Sequence, residues 1–157
     1  MTKAGYTVPT GAGVALVAGV AKTVIGVKGH ANFGLDLIKV RYGFDGIVAS
    51  ERAVLIQLCY ASWASNSPGT ASTSITPVQG YGRTITPGFT AGRDWTTEPT
   101  NLTVLEEETL TPNAGVLWYD FPLGTTYDSN VLEGFVLRMT APAVVNNVRA
   151  SLLVERC

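Results

Sequence analysis

Apolar and polar residues alternate with a period of two in many short runs of this chain. The run is clearest at 33–46, where Ile38, Val40, Tyr42 and Phe44 fall on one side and Lys39 and Arg41 on the other. Successive side chains of a strand point to opposite faces, so the pattern predicts a half-buried strand at 35–44 that enters an Asp45-Gly46 turn. The same reading predicts strands at about 14–18 and 22–28, joined or bulged near Gly19, since glycine tolerates bulge geometry. At 53–61, Val54, Ile56, Leu58 and Tyr60 share a face. A helix capped by Ser50 is the rival there, but a β-branched and aromatic run between turn signals favours a strand.

The middle of the chain is less regular. Residues 64–101 read as a long irregular insertion with a loop at 65–70, a short strand within 78–86 and an ordered excursion around Arg93-Asp94-Trp95. Long excursions from a compact sheet are commonly contact loops. Further strands are predicted at 102–109, where Glu106-Glu107-Glu108 mark a solvated edge, and at 116–121, 132–140 and 148–155. The first eleven residues read as a flexible polar arm and 12–157 as a single domain. About eight short antiparallel strands without a long helix give an all-β fold, an antiparallel β-sandwich with a jelly roll as the leading form.

Composition narrows the role. Of 157 residues only 15% are charged, against about 25% in an ordinary globular domain, and the formal net charge is −1. A surface of Thr, Ser, Asn and Gly is weakly repelled from another protein surface. The 11 Lys and Arg residues are scattered, which argues against nucleic acid as a partner. Residues 11–21 have the flavour of a secretory apolar segment, but an alternating strand follows at once, and no run of about 20 apolar residues predicts a membrane span.

Candidate chemistry is sparse. His30 is the only histidine, Cys59 sits in an apolar strand pattern and Cys157 is the last residue, so neither a histidine metal cluster nor a paired-cysteine zinc site is predicted. No cofactor motif is present: the Gly11-Ala12-Gly13 and Gly80-Tyr81-Gly82 phrases lack phosphate-loop spacing. The expectation is a protein that is not an enzyme. Trp118 lies in a strand pattern and is expected in the core. Candidate contact residues are Lys39, Arg41, Trp63, Tyr81, Arg93 and Trp95, with Trp95 foremost because a loop indole offers much area at small entropic cost.

Several phrases together carry a family resemblance: Ala31-Asn32, Val40-Arg41-Tyr42-Gly43-Phe44-Asp45-Gly46, Thr97-Glu98-Pro99-Thr100, Phe121-Pro122-Leu123-Gly124, Leu137-Arg138-Met139-Thr140-Ala141-Pro142-Ala143 and Asn147-Val148-Arg149-Ala150. Over about 14–156 the chain resembles small β-rich structural proteins of tailed bacteriophages. The resemblance implies a virion component assembled in the host cytoplasm and placed on the capsid surface. Its implied form is a decoration or cement protein, a homotrimeric jelly roll bound to the major capsid protein, without catalytic or cofactor residues. The alternatives are a carbohydrate- or receptor-binding head module of a phage fibre and a tail or connector subunit.

Overall fold

The computed structural model describes residues 3–45, 52–63, 70–112, 116–142 and 147–157. Among these, thirteen strands run in chain order: β1 (Gly5–Pro9), β2 (Val14–Ala15), β3 (Ala21–Lys28), β4 (Leu35–Asp45), β5 (Val54–Ala61), β6 (Thr70–Ile75), β7 (Val78–Tyr81), β8 (Thr90–Thr97), β9 (Leu102–Leu110), β10 (Val116–Asp120), β11 (Tyr127–Asp128), β12 (Gly134–Thr140) and β13 (Asn147–Arg156). They form two packed antiparallel sheets. The seven-stranded sheet has the order β10-β4-β13-β1-β7, with β11 added to β4 and β2 to β13; the six-stranded sheet has the order β6-β8-β3-β12-β5-β9. Three antiparallel pairs nest within one another along the chain, β3 with β12, β4 with β10 and β5 with β9.

Alternation explains the layers. Val40 and Tyr42 of β4, Leu152 and Val154 of β13, and Tyr6 and Val8 of β1 point into the space between the sheets, where they meet Val24, Ile25 and Val27 of β3, Ile56 of β5 and Phe135, Leu137 and Met139 of β12. Complete burial of such a side chain contributes about 1.5–3 kcal/mol. The face predicted for β4 is interrupted, however. The register against β13 shifts between Leu153 and Val154, which leaves Ile38 as the extra residue, half-buried, while Leu35 and Leu37 are fully buried. A bulge of this kind resets which residues face inward, and a strict period of two cannot anticipate it.

Four other expectations are corrected. The N-terminal arm expected at 1–11 is a strand over Gly5–Pro9, paired with β13 on one side and β7 on the other. Its Tyr6 and Val8 alternate with Thr7 and are fully buried, which outweighs the polar character of the neighbouring residues. The irregular insertion expected at 64–101 contains β6, β7 and β8, all within the two sheets; its loop at 65–70 lies almost wholly outside the described residues. The threonine- and serine-rich β6 lacks the apolar half of the alternation because it is an exposed end strand, and β7 is an exposed end strand of the other sheet. The 14–18 strand is only Val14–Ala15, and the structure has more strands than the eight expected. The turn at Asp45-Gly46 lies outside the described residues from Gly46 onward.

A second, smaller core covers the outer face of the six-stranded sheet. There Cys59, Ala61, Trp63, Trp95 and Val136 are buried together. Gly26 and Gly92 are directly paired across β3 and β8. A Cβ on Gly26 would stand 2.9 Å from Cη2 of Trp95, and one on Gly92 3.3 Å from the same atom. The two glycines thus form a shallow bed on which the Trp95 indole lies.

Candidate functional site

The two sheets end on the same side of the sandwich in strands paired on one edge only, β10 in one sheet and β9 in the other. The candidate site is built around this double edge. In β10, Leu117 and Tyr119 pair with the core-facing Tyr42 and Val40, so Val116, Trp118 and Asp120 must face outward. Val116 is 65% exposed and Trp118 55%. The strand ends in the turn Pro122–Thr125, closed by the Thr125 N–H donating to the Pro122 carbonyl at 3.0 Å, with Gly124 at φ 87°. Glycine at that position lets Leu123 project at the turn tip, and Leu123 is 97% exposed.

The outer face beside this edge carries cations. Lys39 Nζ lies 4.5 Å and the Arg41 guanidinium carbon 5.1 Å from the centroid of the Trp118 ring. Lys39 also pairs with Asp120 Oδ1 at 2.8 Å. A groove of about 590 Å³ runs from Trp118 across the outer face, past Arg41, Ser151 and Pro9, to the Arg149–Asp45 ion pair at 3.1 Å. Gly43 sits between Val116 and Arg149 in the ladder and keeps that part of the groove shallow.

Between the two edges a second cleft of about 80 Å³ opens into the core. Glu106 and Glu108 pair with Leu58 and Ile56, whose side chains are buried, so both carboxylates stand on the core-facing side of β9. Only Glu107 behaves as the solvated edge residue predicted for this run, and it accepts a hydrogen bond from Gln57 at 2.6 Å. Tyr127 donates to Glu106 Oε1 at 2.5 Å, and this bond, with burial second, pushes the phenol up to about 12. Burial raises the Glu108 carboxyl above its ordinary range. Tyr119, Phe121 and Tyr127 form an aromatic wall, with centroids 5.2 and 5.1 Å apart in succession. The hydroxyl of Tyr42, a residue only 2% exposed, has no hydrogen-bond partner among the described residues.

The predicted contact residues divide sharply. Lys39 and Arg41 are on the candidate surface. Trp95, foremost among them, is 7% exposed and stacks on Trp63, itself buried, at 6.2 Å and 21°. Both indoles are corrected to core residues, because the glycine bed on β3 and β8 accommodates a ring that local sequence assigns to a loop. Tyr81 is partly exposed, but its ring lies over Gly5 and its hydroxyl donates to Glu155 Oε1 at 2.6 Å, which ties it to the fold. Burial first, and then Glu155, raise its ionisation well above the ordinary phenol range. Arg93 is half-buried on β8, where it pairs with Ile25 and Thr73, far from the double edge in strand order.

Trp118 is the opposite correction: expected in the core, it is the principal exposed indole of the described residues. The alternation Leu117, Tyr119, Phe121 against Val116, Trp118, Asp120 carries the signal, but both sets are largely apolar and periodicity cannot tell which faces in. The Tyr42–Glu106–Glu108 cleft had no sequence signal, since Tyr42 on β4 lies more than 60 positions along the chain from the two glutamates on β9. Neither a family model, nor a curated protein, nor a solved structure matches this chain.

Proposed function

We propose that this chain is a non-enzymatic structural subunit of a tailed-bacteriophage virion, a decoration or cement protein that sits on the capsid surface as a homotrimer and bridges major capsid subunits. The observation that carries this reading is the β10 edge: a strand paired on one side only, along which Val116, Trp118 and Leu123 are exposed with Lys39 and Arg41 beside the indole. An edge with unpaired backbone groups and exposed apolar side chains is a pairing surface. When it meets a different surface of the next copy, a heterologous contact that closes after three copies gives a ring. Repetition over a lattice then converts weak contacts into firm attachment. The nested pairs β3–β12, β4–β10 and β5–β9 support a jelly-roll wind within the sandwich, extended by β13 and β1 on the far side of β4.

Light scattering on the purified chain and cosedimentation with emptied, expanded capsids test the reading. Trimers that bind capsids are expected. A chain that stays monomeric at high concentration and leaves capsids bare rejects it.

A second reading, a glycan- or receptor-binding head module, is favoured by the groove beside Trp118. An exposed indole flanked by Arg41 and Ser151 is the arrangement on which a sugar ring stacks while polar groups fix its hydroxyls. Glycan-array binding that disappears in Trp118→Ala would support this alternative.

A further inference from the structure

We infer that the cleft between the β9 and β10 edges is a binding site for a primary ammonium group, the head of a lysine side chain or of a free alkylamine. This inference stands apart from the assembly reading.

Three independent features converge. Two carboxylates, Glu106 and Glu108, stand on the core-facing side of an edge strand, and among the described residues neither takes part in an ion pair. They exclude an anion, and a neutral occupant would leave their charge uncompensated. Tyr119 and Phe121 supply ring faces, and a cation is attracted to a ring face by the quadrupole, more strongly where water is thinned out. Tyr42, buried and lining the same cleft, has a hydroxyl oxygen free to accept a hydrogen bond. A buried hydroxyl without a partner is uncommon, and a ligand N–H would supply one.

Size selects within the cations. The cleft is small, about 80 Å³. That accommodates an ammonium head with a short aliphatic stem against Leu58 and Leu137, both of which line the cleft. The three N–H donors of a primary ammonium match the acceptors present: the Tyr42 oxygen and the two carboxylates. Glu106 is already oriented by the Tyr127 hydroxyl, so one acceptor is held in place before anything binds.

The test is an NMR titration of the full 157-residue chain with N-acetyl-lysine N-methylamide, butylammonium and the uncharged N-acetyl-norleucine N-methylamide. Saturable shifts at Tyr42, Glu108 and Tyr119 with both ammonium probes, and none with the norleucine probe, are expected. Glu108→Gln should weaken binding about tenfold and Tyr42→Phe several-fold, the order of losing one charged and one neutral partner. Both variants keep side-chain shape, and matching amide spectra verify the fold. Tighter binding of the lysine probe than of butylammonium assigns the occupant to a protein partner; equal binding assigns recognition to the ammonium head alone. The inference is overturned if the norleucine probe shifts the same residues, if no probe saturates, or if either variant binds as tightly as the parent.

Discussion

Arg41 and Trp118 face each other across the β4–β10 ladder, with the guanidinium carbon 5.1 Å from the indole centroid. The pair is held on the outer face while its strand neighbours Tyr42 and Leu117 turn inward, so the cation and the ring are displayed without being packed.

That geometry separates stability from binding at Trp118. Trp118→Ala removes ring contacts with two cations, each worth about 0.5–1 kcal/mol at an exposed site, and buries nothing less well. The expected result is a small change in the urea midpoint together with a marked loss of self-association or capsid binding. A large fall in midpoint would show that the ring packs more than its exposure indicates.

Trp95 behaves in the reverse sense. Trp95→Ala should cost about 3–5 kcal/mol, since the ring fills the bed made by Gly26 and Gly92 and stacks on Trp63. Chemical denaturation followed by Trp63 fluorescence measures this, and Gly92→Ala should also destabilise, because its new Cβ would stand 2.8 Å from that of Ala71.

Glu98 repairs the open side of β3. The β8 ladder reaches β3 only from Ile25 to Lys28, and beyond it the Glu98 carboxylate accepts hydrogen bonds from the N–H and the hydroxyl of fully buried Thr23, the N–H at 2.9 Å. Glu98→Ala leaves two buried donors unpartnered at about 1–3 kcal/mol apiece. A drop in denaturation midpoint larger than for Glu107→Ala, whose parent side chain is exposed, is expected.

Glu108 gives a pH signature. Its folded carboxyl is raised by burial above the ordinary 4.5, so the native state holds this proton more tightly than the unfolded chain. The resulting stabilisation is complete below about pH 4.5 and is lost as pH rises through the raised folded value. Glu108→Gln should remove that part of the pH dependence and raise stability at neutral pH, read as the difference between the urea midpoints of variant and parent across the window. Asp94 has the opposite sign: its hydrogen bond with Lys22 holds it below its ordinary value, so its contribution is lost as pH falls. The difference measurement cancels it.

The chain by itself determined the class of fold. Short alternating runs such as the Val40 and Tyr42 face, punctuated by glycine and proline, require strands that bury one face, and a chain of this size satisfies them with two packed sheets. It also placed Lys39 and Arg41 on an outer face, opposite the apolar Val40 and Tyr42 that alternate with them in the same strand. Only the tertiary structure decided the rest. Bulges at Ile38 in β4 and Leu105 in β9 shift the inward register by one residue, and that shift depends on the partner strand. The fates of Trp95 and Trp118 were exchanged for the same kind of reason. One ring found glycines on two neighbouring strands, while the other lay on an edge strand with no partner on its far side. An indole's burial is a property of what lies opposite it, and that is set by pairings between residues distant in the chain.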